Sequence, residues 1–456
     1  MLRAYTIGMK NRFKPLMILA VSLLLAACSG EPENTSNTGT SSTSNPPTTS
    51  TLPPQEDDFV VVKVEGINST AKAGGYDAKI YYRDDDFDQD ATTYSDKIKM
   101  LSFGSAIVSK DEETAEAFFE TMGYDNFSAT LPEPTTDTIG FTLAHKGFAN
   151  YDLVALSIRG SDYGQEWSNN LLVGKEGNHN GFQARADEIK DELQTYLGGY
   201  TAKPVKLWIS GYSRGGGVAN LLASDLLKNG FNQSNLYVYT FEAPRGLTLE
   251  NAPEYPNVFN LINSADPVAR IAPEEYGLYR CGKDIIIDEG KDVEEALTEL
   301  DPELTLPAFT PSAGTFENDK QFTDFILSTL LGDTGDPNTN LNTRESFVDN
   351  YQADIGYFIG LYFSLDQSTV DKLGTALKNA GATLFDSEDN IYNTIKPILV
   401  EDGVTYDDAK LHSSCSKIYK LLTTKSTLIL TIAFMQDNLK RAIYMHSLDT
   451  VYALIK

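Results

Sequence analysis

The sequence is poor in cysteine, histidine and positive charge, and these shortages exclude several classes of protein. Three cysteines among 456 residues cannot build a disulfide scaffold, and no Cys-x-x-Cys pair indicates a zinc site. Lysine and arginine number 37 against 64 aspartate and glutamate, a net charge of −27. A surface this acidic repels phosphate backbones, so we expect no nucleic-acid partner. The 41% of hydrophobic residues instead predicts a globular protein with an ordinary core.

The first 28 residues have the pattern of a bacterial lipoprotein signal. A basic segment precedes an apolar or small-residue stretch at 16–27, which is too short to cross a bilayer because a span needs roughly 20 residues. We therefore expect a signal peptide at 1–27, starting at Met1 or Met9. The ending Leu-Ala-Ala-Cys predicts lipidation of Cys28, and the alternative is a plain signal with an incidental cysteine. The lipid would anchor the protein on the outer side of a bacterial cell membrane.

Changes in composition along the chain predict its further organisation. Residues 28–58 are rich in Ser, Thr and Pro and cannot bury enough apolar surface to order themselves, so we expect a disordered tether. Residues 59–285 predict an α/β domain. Residues 286–440 show helical runs and no clear strands, which indicates a helical insertion or cap, and 441–456 return to the first domain.

Strands alternate with helices in the α/β domain. This alternation predicts a mostly parallel central sheet with helices on both faces. In such sheets functional residues collect where strands end and loops begin. We predict strands at 60–64, 138–144, 151–158, 205–210, 236–241 and 258–263, and helices at 93–107, 183–197 and 216–228.

A Gly-x-Ser-x-Gly motif at 211–215 is the strongest single pattern in the chain. An apolar predicted strand leads directly into it and a helix rich in small residues follows it. This is the strand–turn–helix setting in which a serine is held above a sheet as a nucleophile. We therefore predict that Ser213 is a nucleophile, and the alternative is a tight structural turn.

A nucleophilic serine needs a base, usually a histidine that a carboxylate orients. In this setting the chain order is serine, acid, histidine. Asp266 follows a predicted strand and is our candidate acid, with Glu242 as the alternative. Four histidines are present in the chain, and those that follow Asp266 are His412 and His446. His412 lies in a polar stretch typical of a surface, so we predict that His446 is the base.

The tetrahedral oxyanion of acyl transfer needs hydrogen-bond donors aimed at it. The backbone N–H of Arg214, directly after the nucleophile, is the expected first donor. The second should lie in a loop after an earlier strand. Ser161 follows the predicted strand at 151–158 and offers both an N–H and a hydroxyl, and the alternative is an ordinary loop.

Taken together, these motifs resemble the class 3 lipase family of α/β-hydrolases. The resemblance covers residues 138–285, about a third of the chain. It implies an α/β-hydrolase fold and a structural role for His179 beside the site. The matching segments are Arg159-Gly160-Ser161 with Trp167 beyond it, His179-Asn180-Gly181-Phe182, the elbow at 211–216, Thr240-Phe241-Glu242-Ala243-Pro244-Arg245 and Asn263 to Val268.

The chain departs from the family pattern in two places. His446 lies 180 residues after Asp266, whereas the family histidine follows its acid closely; an insertion at 286–440 would explain this distance. Glu242 stands where the family has a small glycine. It either adds a charge near the site or faces solvent.

Two cysteines remain besides Cys28. Cys281 and Cys415 are expected either to form a disulfide that ties the insertion to the α/β domain or to remain buried thiols.

The resemblance implies a serine hydrolase that cleaves carboxylic esters, a lipase or esterase, through an acyl-enzyme. It implies an ester or lipid substrate and no metal or organic cofactor. The apolar run at 355–365 predicts a hydrophobic wall of a cap that sets substrate preference, or alternatively core packing within the insertion. Two other hypotheses remain: an inactive surface binding or adhesion protein on a hydrolase scaffold, and an acyltransferase that uses the same triad.

Overall fold

The computed structural model of the chain describes residues 59–64, 75–132, 138–161, 173–266, 268–270, 274–302, 389–404 and 444–456, with isolated positions between these ranges. The expected signal peptide, the lipidation site Cys28 and the tether lie outside the described residues. Most of the expected helical insertion, including the apolar run at 355–365, also lies outside them, as does Trp167.

From residue 141 onward, the described elements follow the expected alternation of strands and helices. No helix among them is long and apolar enough to cross a membrane. The strands are β1 (Phe59–Val64), β2 (Tyr76–Tyr81), β3 (Asp125–Thr130), β4 (Phe141–Gly147), β5 (Asp152–Ile158), β6 (Val205–Tyr212), β7 (Leu236–Phe241), β8 (Val258–Ile262) and β9 (Lys283–Ile286). The helices are α1 (Asp96–Val108), α2 (Glu112–Thr121), α3 (Asn180–Leu197), α4 (Arg214–Lys228), α5 (Val293–Leu300), α6 (Asn390–Glu401) and α7 (Leu448–Ile455).

Seven of these strands form one large sheet in the order β9-β8-β7-β6-β5-β4-β3. Two further strands of two residues each, Leu247–Thr248 and Leu278–Tyr279, pair with each other outside it. Strands β5 to β9 run parallel to one another, while β4 and β3 are antiparallel at one edge. β1 and β2 pair separately as an antiparallel ribbon. The mostly parallel sheet that the sequence predicts is therefore confirmed, with an antiparallel edge added to it. Together with the strand–turn–helix at 211–215, this topology is an α/β-hydrolase fold.

Helices cover both faces of the sheet, as the sequence predicts. Because side chains alternate along a strand, Leu207 and Ile209 of β6 point to one face and Trp208 to the other. Leu207 and Ile209 pack in the core that α3 and α4 complete. Trp208 packs in the opposite core, to which α1 and α7 contribute. The C-terminal helix α7 is thereby held against the same sheet that carries the glycine-rich turn.

Element boundaries differ from the predicted ones where tertiary contacts decide them. Helix α4 begins at Arg214 instead of 216, directly after the turn. Helix α3 begins at Asn180 instead of 183, because the imidazole of His179 caps it by accepting from the N–H of Phe182. Strand β4 is shifted by three residues from the predicted 138–144. Strand β3 was not predicted, since its sequence lacks apolar alternation and its pairing with β4 contains an irregularity.

The two described cysteines are both buried free thiols. Burial raises the pKa of each thiol to about 12. Of the two alternatives for Cys281 and Cys415, the structure therefore has the unbonded one.

Candidate active site

Ser213 occupies a sharp turn between β6 and α4. Its backbone has φ +56° and ψ −127°, a conformation that residues other than glycine rarely adopt and that is typical of strained functional positions. The glycines on either side allow the turn to close. A Cβ at Gly211 would lie 2.5 Å from the carbonyl oxygen of Gly215, and a Cβ at Gly215 would lie 2.3 Å from that of Ile158. Both glycines are therefore required by backbone contacts.

The structure brings Ser213, His446 and Asp266 into one hydrogen-bonded series. Nε2 of His446 lies 2.9 Å from Oγ of Ser213, and its Nδ1 lies 2.6 Å from Oδ2 of Asp266. The exposed fractions of the three residues are 3%, 4% and 0%. The histidine thus has a hydroxyl on one nitrogen and a carboxylate on the other, which is the arrangement that lets it take a proton from the serine.

The loop after β8 positions the acid. The N–H of Asp266 donates to the carbonyl of Asn263 at 3.0 Å. The N–H of Val268 donates to Oδ1 of Asp266 at 2.8 Å, which leaves Oδ2 for His446. The carboxylate therefore has a donor on each oxygen, and its orientation toward the imidazole is fixed.

Contacts to β6 and to the loop after β8 hold His446, which lies just before α7. The hydroxyl of Tyr212 donates to the carbonyl of His446, and the two rings stack with centroids 5.1 Å apart. The side-chain amide of Asn263 donates to the carbonyl of Met445 at 2.9 Å. These bonds bring the C-terminal segment to the turn across 234 and 182 residues of chain.

Glu242 follows β7 and is fully buried, so it does not face solvent. Its φ is +50°, in the left-handed region that favours glycine, which explains why a glycine suits this position. The N–H of Asn263 donates to Oε1 and Oε2 of Glu242 at 2.9 and 3.1 Å. Burial raises the pKa of Glu242 well above its usual range, and the neighbouring charge of Asp266 and a hydrogen bond with it raise the pKa further. The carboxylate that contacts His446 is thus Asp266 and not the alternative, Glu242.

The two predicted oxyanion donors flank the turn. Arg214 is the first residue of α4, so its N–H points out of the helix N-terminus. Gly160, next to Ser161, lies against the turn, since a Cβ there would come within 3.7 Å of Cβ of Ser213. The hydroxyl of Ser161 accepts from the side-chain amide of Asn170 at 2.9 Å. The roles of Arg214 and Ser161 as donors to a substrate stay predictions.

The other three histidines are engaged elsewhere. His179 is fully buried, caps α3 and stacks on Phe182, in agreement with a structural role. His412 is half exposed and contacts Asp389. His145 lies between two aspartates on the antiparallel edge of the sheet.

Sequence reasoning missed the residues that hold the candidate base. Tyr212 occupies a variable position of the Gly-x-Ser-x-Gly motif, and Asn263 belongs to a segment that resembles the family. Their contacts join three segments that are far apart in the chain. No local pattern carries that information, although a tyrosine or asparagine beside a predicted catalytic residue is a reasonable signal to test.

Residues 155–276 match the model of the family described as lipase (class 3). The secreted mono- and diacylglycerol lipase 1 of Fusarium solani is 27% identical over 166 residues, which cover 32% of this chain. The match spans 48% of the length of that relative, about half of it. The resemblance that the motifs indicate is thus supported for the part of the chain between Ala155 and Tyr276.

Solved fungal lipases also resemble the chain. The lipase of Rhizomucor miehei in complex with its propeptide is 19% identical, covers 44% of this chain and 69% of its own, and has a TM-score of 0.33. Lipase II of Rhizopus niveus is 16% identical, covers 42% and 81%, and has a TM-score of 0.31. The fold is defined by the strand order and the turn at Ser213 in this chain itself.

Proposed function

We propose that this protein is a serine hydrolase that cleaves carboxylic esters. The observation that carries the proposal is the hydrogen-bonded series from Ser213 through His446 to Asp266, built on a strained strand–turn–helix. The match of residues 155–276 to class 3 lipases supports it. In the proposed roles Ser213 is the nucleophile, His446 the general base and acid, and Asp266 the carboxylate that orients the imidazole.

In the first half of the reaction, Oγ of Ser213 attacks the ester carbonyl and its proton moves to Nε2 of His446. The negative charge that develops on the carbonyl oxygen is stabilised by the N–H of Arg214 and by Ser161. His446 then gives its proton to the leaving alcohol as the ester C–O bond breaks. The product is an acyl group on Ser213.

In the second half, water replaces the alcohol. Nε2 of His446 removes a proton from the water as its oxygen attacks the acyl carbon. The same donors stabilise the second oxyanion, and the proton returns to Oγ of Ser213 as the carboxylic acid leaves. Asp266 keeps the imidazole in the tautomer with hydrogen on Nδ1 throughout both halves.

The substrate class that we propose is a lipid-like ester. The curated relative is named for mono- and diacylglycerols, which supports an acylglycerol as the first substrate to assay. Lipidation at Cys28 would place the α/β domain beside a membrane, where such esters are concentrated. A lipid-anchored, extracytoplasmic location is therefore part of the proposal.

Active-site labelling tests both the nucleophile and the location. The full chain, expressed in a bacterium, is treated with a fluorescent fluorophosphonate and assayed on monoacylglycerol and p-nitrophenyl butyrate. We expect the parent to be labelled, and Ser213→Ala to lose labelling and at least about 10³-fold of activity. Labelled parent is expected in the membrane fraction, and labelled Cys28→Ser in the soluble fraction.

The matched control is Ser128→Ala, which keeps the nucleophile and removes one exposed hydroxyl on β3, at the edge of the sheet. It is expected to remain labelled. An unlabelled and inactive parent with an intact fold would contradict the hydrolase proposal and favour a binding or adhesion protein. Acyl transfer to an added alcohol in preference to water would instead indicate an acyltransferase.

A further inference from the structure

Glu242 is a buried carboxyl group that the proposed reaction does not use, and it interacts with the proposed acid, Asp266. We propose that Glu242 is a positioning residue that holds Asp266 through a hydrogen bond donated by its carboxylic acid. The proposal rests on the function proposed above, because it concerns the orientation of Asp266 toward His446. It thereby gives a role to Glu242, which stands at a position where class 3 lipases have a glycine.

The carboxyl groups of Glu242 and Asp266 form a buried pair. Glu242 and Asp266 are both 0% exposed, and Asn263 joins them: its N–H donates to the carboxyl group of Glu242 and its carbonyl accepts from the N–H of Asp266. The two carboxyl groups also interact directly. Two ionised carboxylates at this distance repel strongly when water does not separate them, so the pair retains one proton. Asp288 adds a further negative charge nearby, and Nδ1 of His446 contacts Oδ2 of Asp266.

The hydrogen bonds around the two carboxyl groups determine which of them carries the proton. Asp266 accepts two hydrogen bonds, from the N–H of Val268 and from Nδ1 of His446, and both stabilise its ionised form. Glu242 accepts from the single N–H of Asn263. The proton therefore resides on Glu242, and the acid O–H donates to the carboxylate of Asp266. This bond restrains Asp266 in addition to the bonds from Val268 and His446.

The backbone of Glu242 has an unfavourable conformation for a residue with a side chain. At φ +50° a residue with a side chain is strained relative to glycine, so Glu242 needs compensating contacts to persist there. Its hydrogen bonds to Asn263 and Asp266 supply them. Asn263 also donates to the carbonyl of Met445, next to His446. Glu242 is thus joined to both the acid and the base of the proposed triad.

A protonated Glu242 has a defined effect on pH dependence. Its pKa in the folded protein is raised, so the folded state keeps a proton that the unfolded chain releases above a pKa of about 4.3. Its contribution to stability is fully present below that value and is lost as the pH rises toward the folded pKa. Glutamine imitates the protonated acid, with an N–H₂ for Asp266 and a carbonyl for Asn263, but does not titrate.

The experiment compares the full chain with E242Q and E242A, and uses E250Q as the control because Glu250 is an exposed carboxyl group eight residues further on. We measure kcat and KM on a soluble p-nitrophenyl ester from pH 6 to 10, together with urea unfolding over the same range. We expect E242A to lose about tenfold in kcat with KM unchanged, because a buried polar group loses its partner. E242Q should keep kcat within about threefold and lose stability less steeply than the parent as the pH rises.

The rescue by glutamine separates positioning from a general structural need. The proposal is overturned if E242Q is as impaired as E242A, because a negative charge would then be required. It is also overturned if E242A keeps the kcat and the pH profile of the parent. If the parent cleaves no ester, the proposed function is contradicted instead. The hydrogen bond between Glu242 and Asp266 is then tested by urea unfolding alone. If the stability of the parent and of E242Q changes equally with pH, that hydrogen bond is excluded. E250Q is expected to match the parent in every measurement.

Discussion

Two buried histidines, His446 and His145, are held by carboxylates at two different regions of the sheet. His446 lies at the carboxyl ends of the parallel strands, with Asp266 on Nδ1 and Ser213 on Nε2. His145 lies in the antiparallel strand β4, with Asp125 at 2.5 Å from Nδ1 and Asp152 at 3.0 Å from Nε2. Both rings stack on a tyrosine. The residue types are nearly the same in the two regions, and the partner of the second nitrogen differs.

That difference separates a base from a structural contact. A general base needs one nitrogen that faces the proton to be removed. At His446 that nitrogen faces a hydroxyl, whereas at His145 both nitrogens face carboxylates that accept hydrogen bonds. We infer that His145 joins β3, β4 and β5 through Asp125 and Asp152 and takes no part in the proposed chemistry. A histidine beside an aspartate is therefore weak support for catalysis until its other nitrogen is located.

The largest expected effect tests whether His446 and His145 differ in their importance for activity. His446→Ala should lower kcat/KM on p-nitrophenyl butyrate by about 10⁴-fold or more, because the serine loses its base. His145→Ala should leave kcat/KM within about twofold. Steady-state kinetics at pH 8 on variants with native circular dichroism measures both.

A His145→Ala variant that folds but loses activity like His446→Ala would contradict the distinction between the two histidines. Fluorophosphonate labelling gives an independent reading, since it reports the reactivity of Ser213 without a turnover step. Labelling of His446→Ala at the rate of the parent would remove His446 from the proposed triad.

The proposed nucleophile could be predicted from sequence because its signal is local. The glycines at 211 and 215 follow from backbone contacts within one turn, and an apolar strand precedes them. His446 could be predicted because few histidines are present, so the role of base had few candidates. The parallel strands β5 to β8 could be predicted from short apolar runs.

The other features depend on contacts between distant segments. Strand β3 has a polar sequence, and its place is decided by pairing with β4. The sequence could not show whether Glu242 faces solvent or Asp266, because that follows from its positive φ and from the loop after β8. The pairing of His145 with Asp125 and Asp152 is likewise set by sheet register.

A smaller effect concerns stability at the antiparallel edge. The side chain of Asp152 is 7% exposed and that of Asp125 is 71% exposed. Asp152→Asn should lower the free energy of unfolding at pH 7 by about 2 kcal/mol, because it weakens a largely buried contact with His145 and Lys203. Asp125→Asn should cost about 0.5 kcal/mol or less. Urea unfolding measures both.

The pH dependence of the same variants sharpens the prediction. Burial opposes ionisation of Asp152, but hydrogen bonds from His145 and Lys203 hold its pKa below the usual range. The contribution of Asp152 is therefore present above the unfolded pKa of about 3.9 and is lost as the pH falls through the folded value. The difference between the parent and Asp152→Asn should shrink below about pH 4. A difference that stays constant from pH 7 to pH 3 would exclude this linkage.

The smallest expected effect tests the two tyrosines that stack on the histidines. Tyr212 stacks on His446, and its hydroxyl donates to the carbonyl of His446. Tyr200 stacks on His145 with ring centroids 4.0 Å apart, but its hydroxyl accepts from the side-chain amide of Asn126. Tyr212→Phe keeps the ring and removes one hydrogen bond, so kcat should fall about fivefold with KM unchanged. Tyr200→Phe should leave kcat unchanged. Equal kcat values for the two variants would mean that α7 and Asn263 suffice to hold His446, and that the stacking tyrosine at the parallel end is as dispensable for catalysis as the one at the edge.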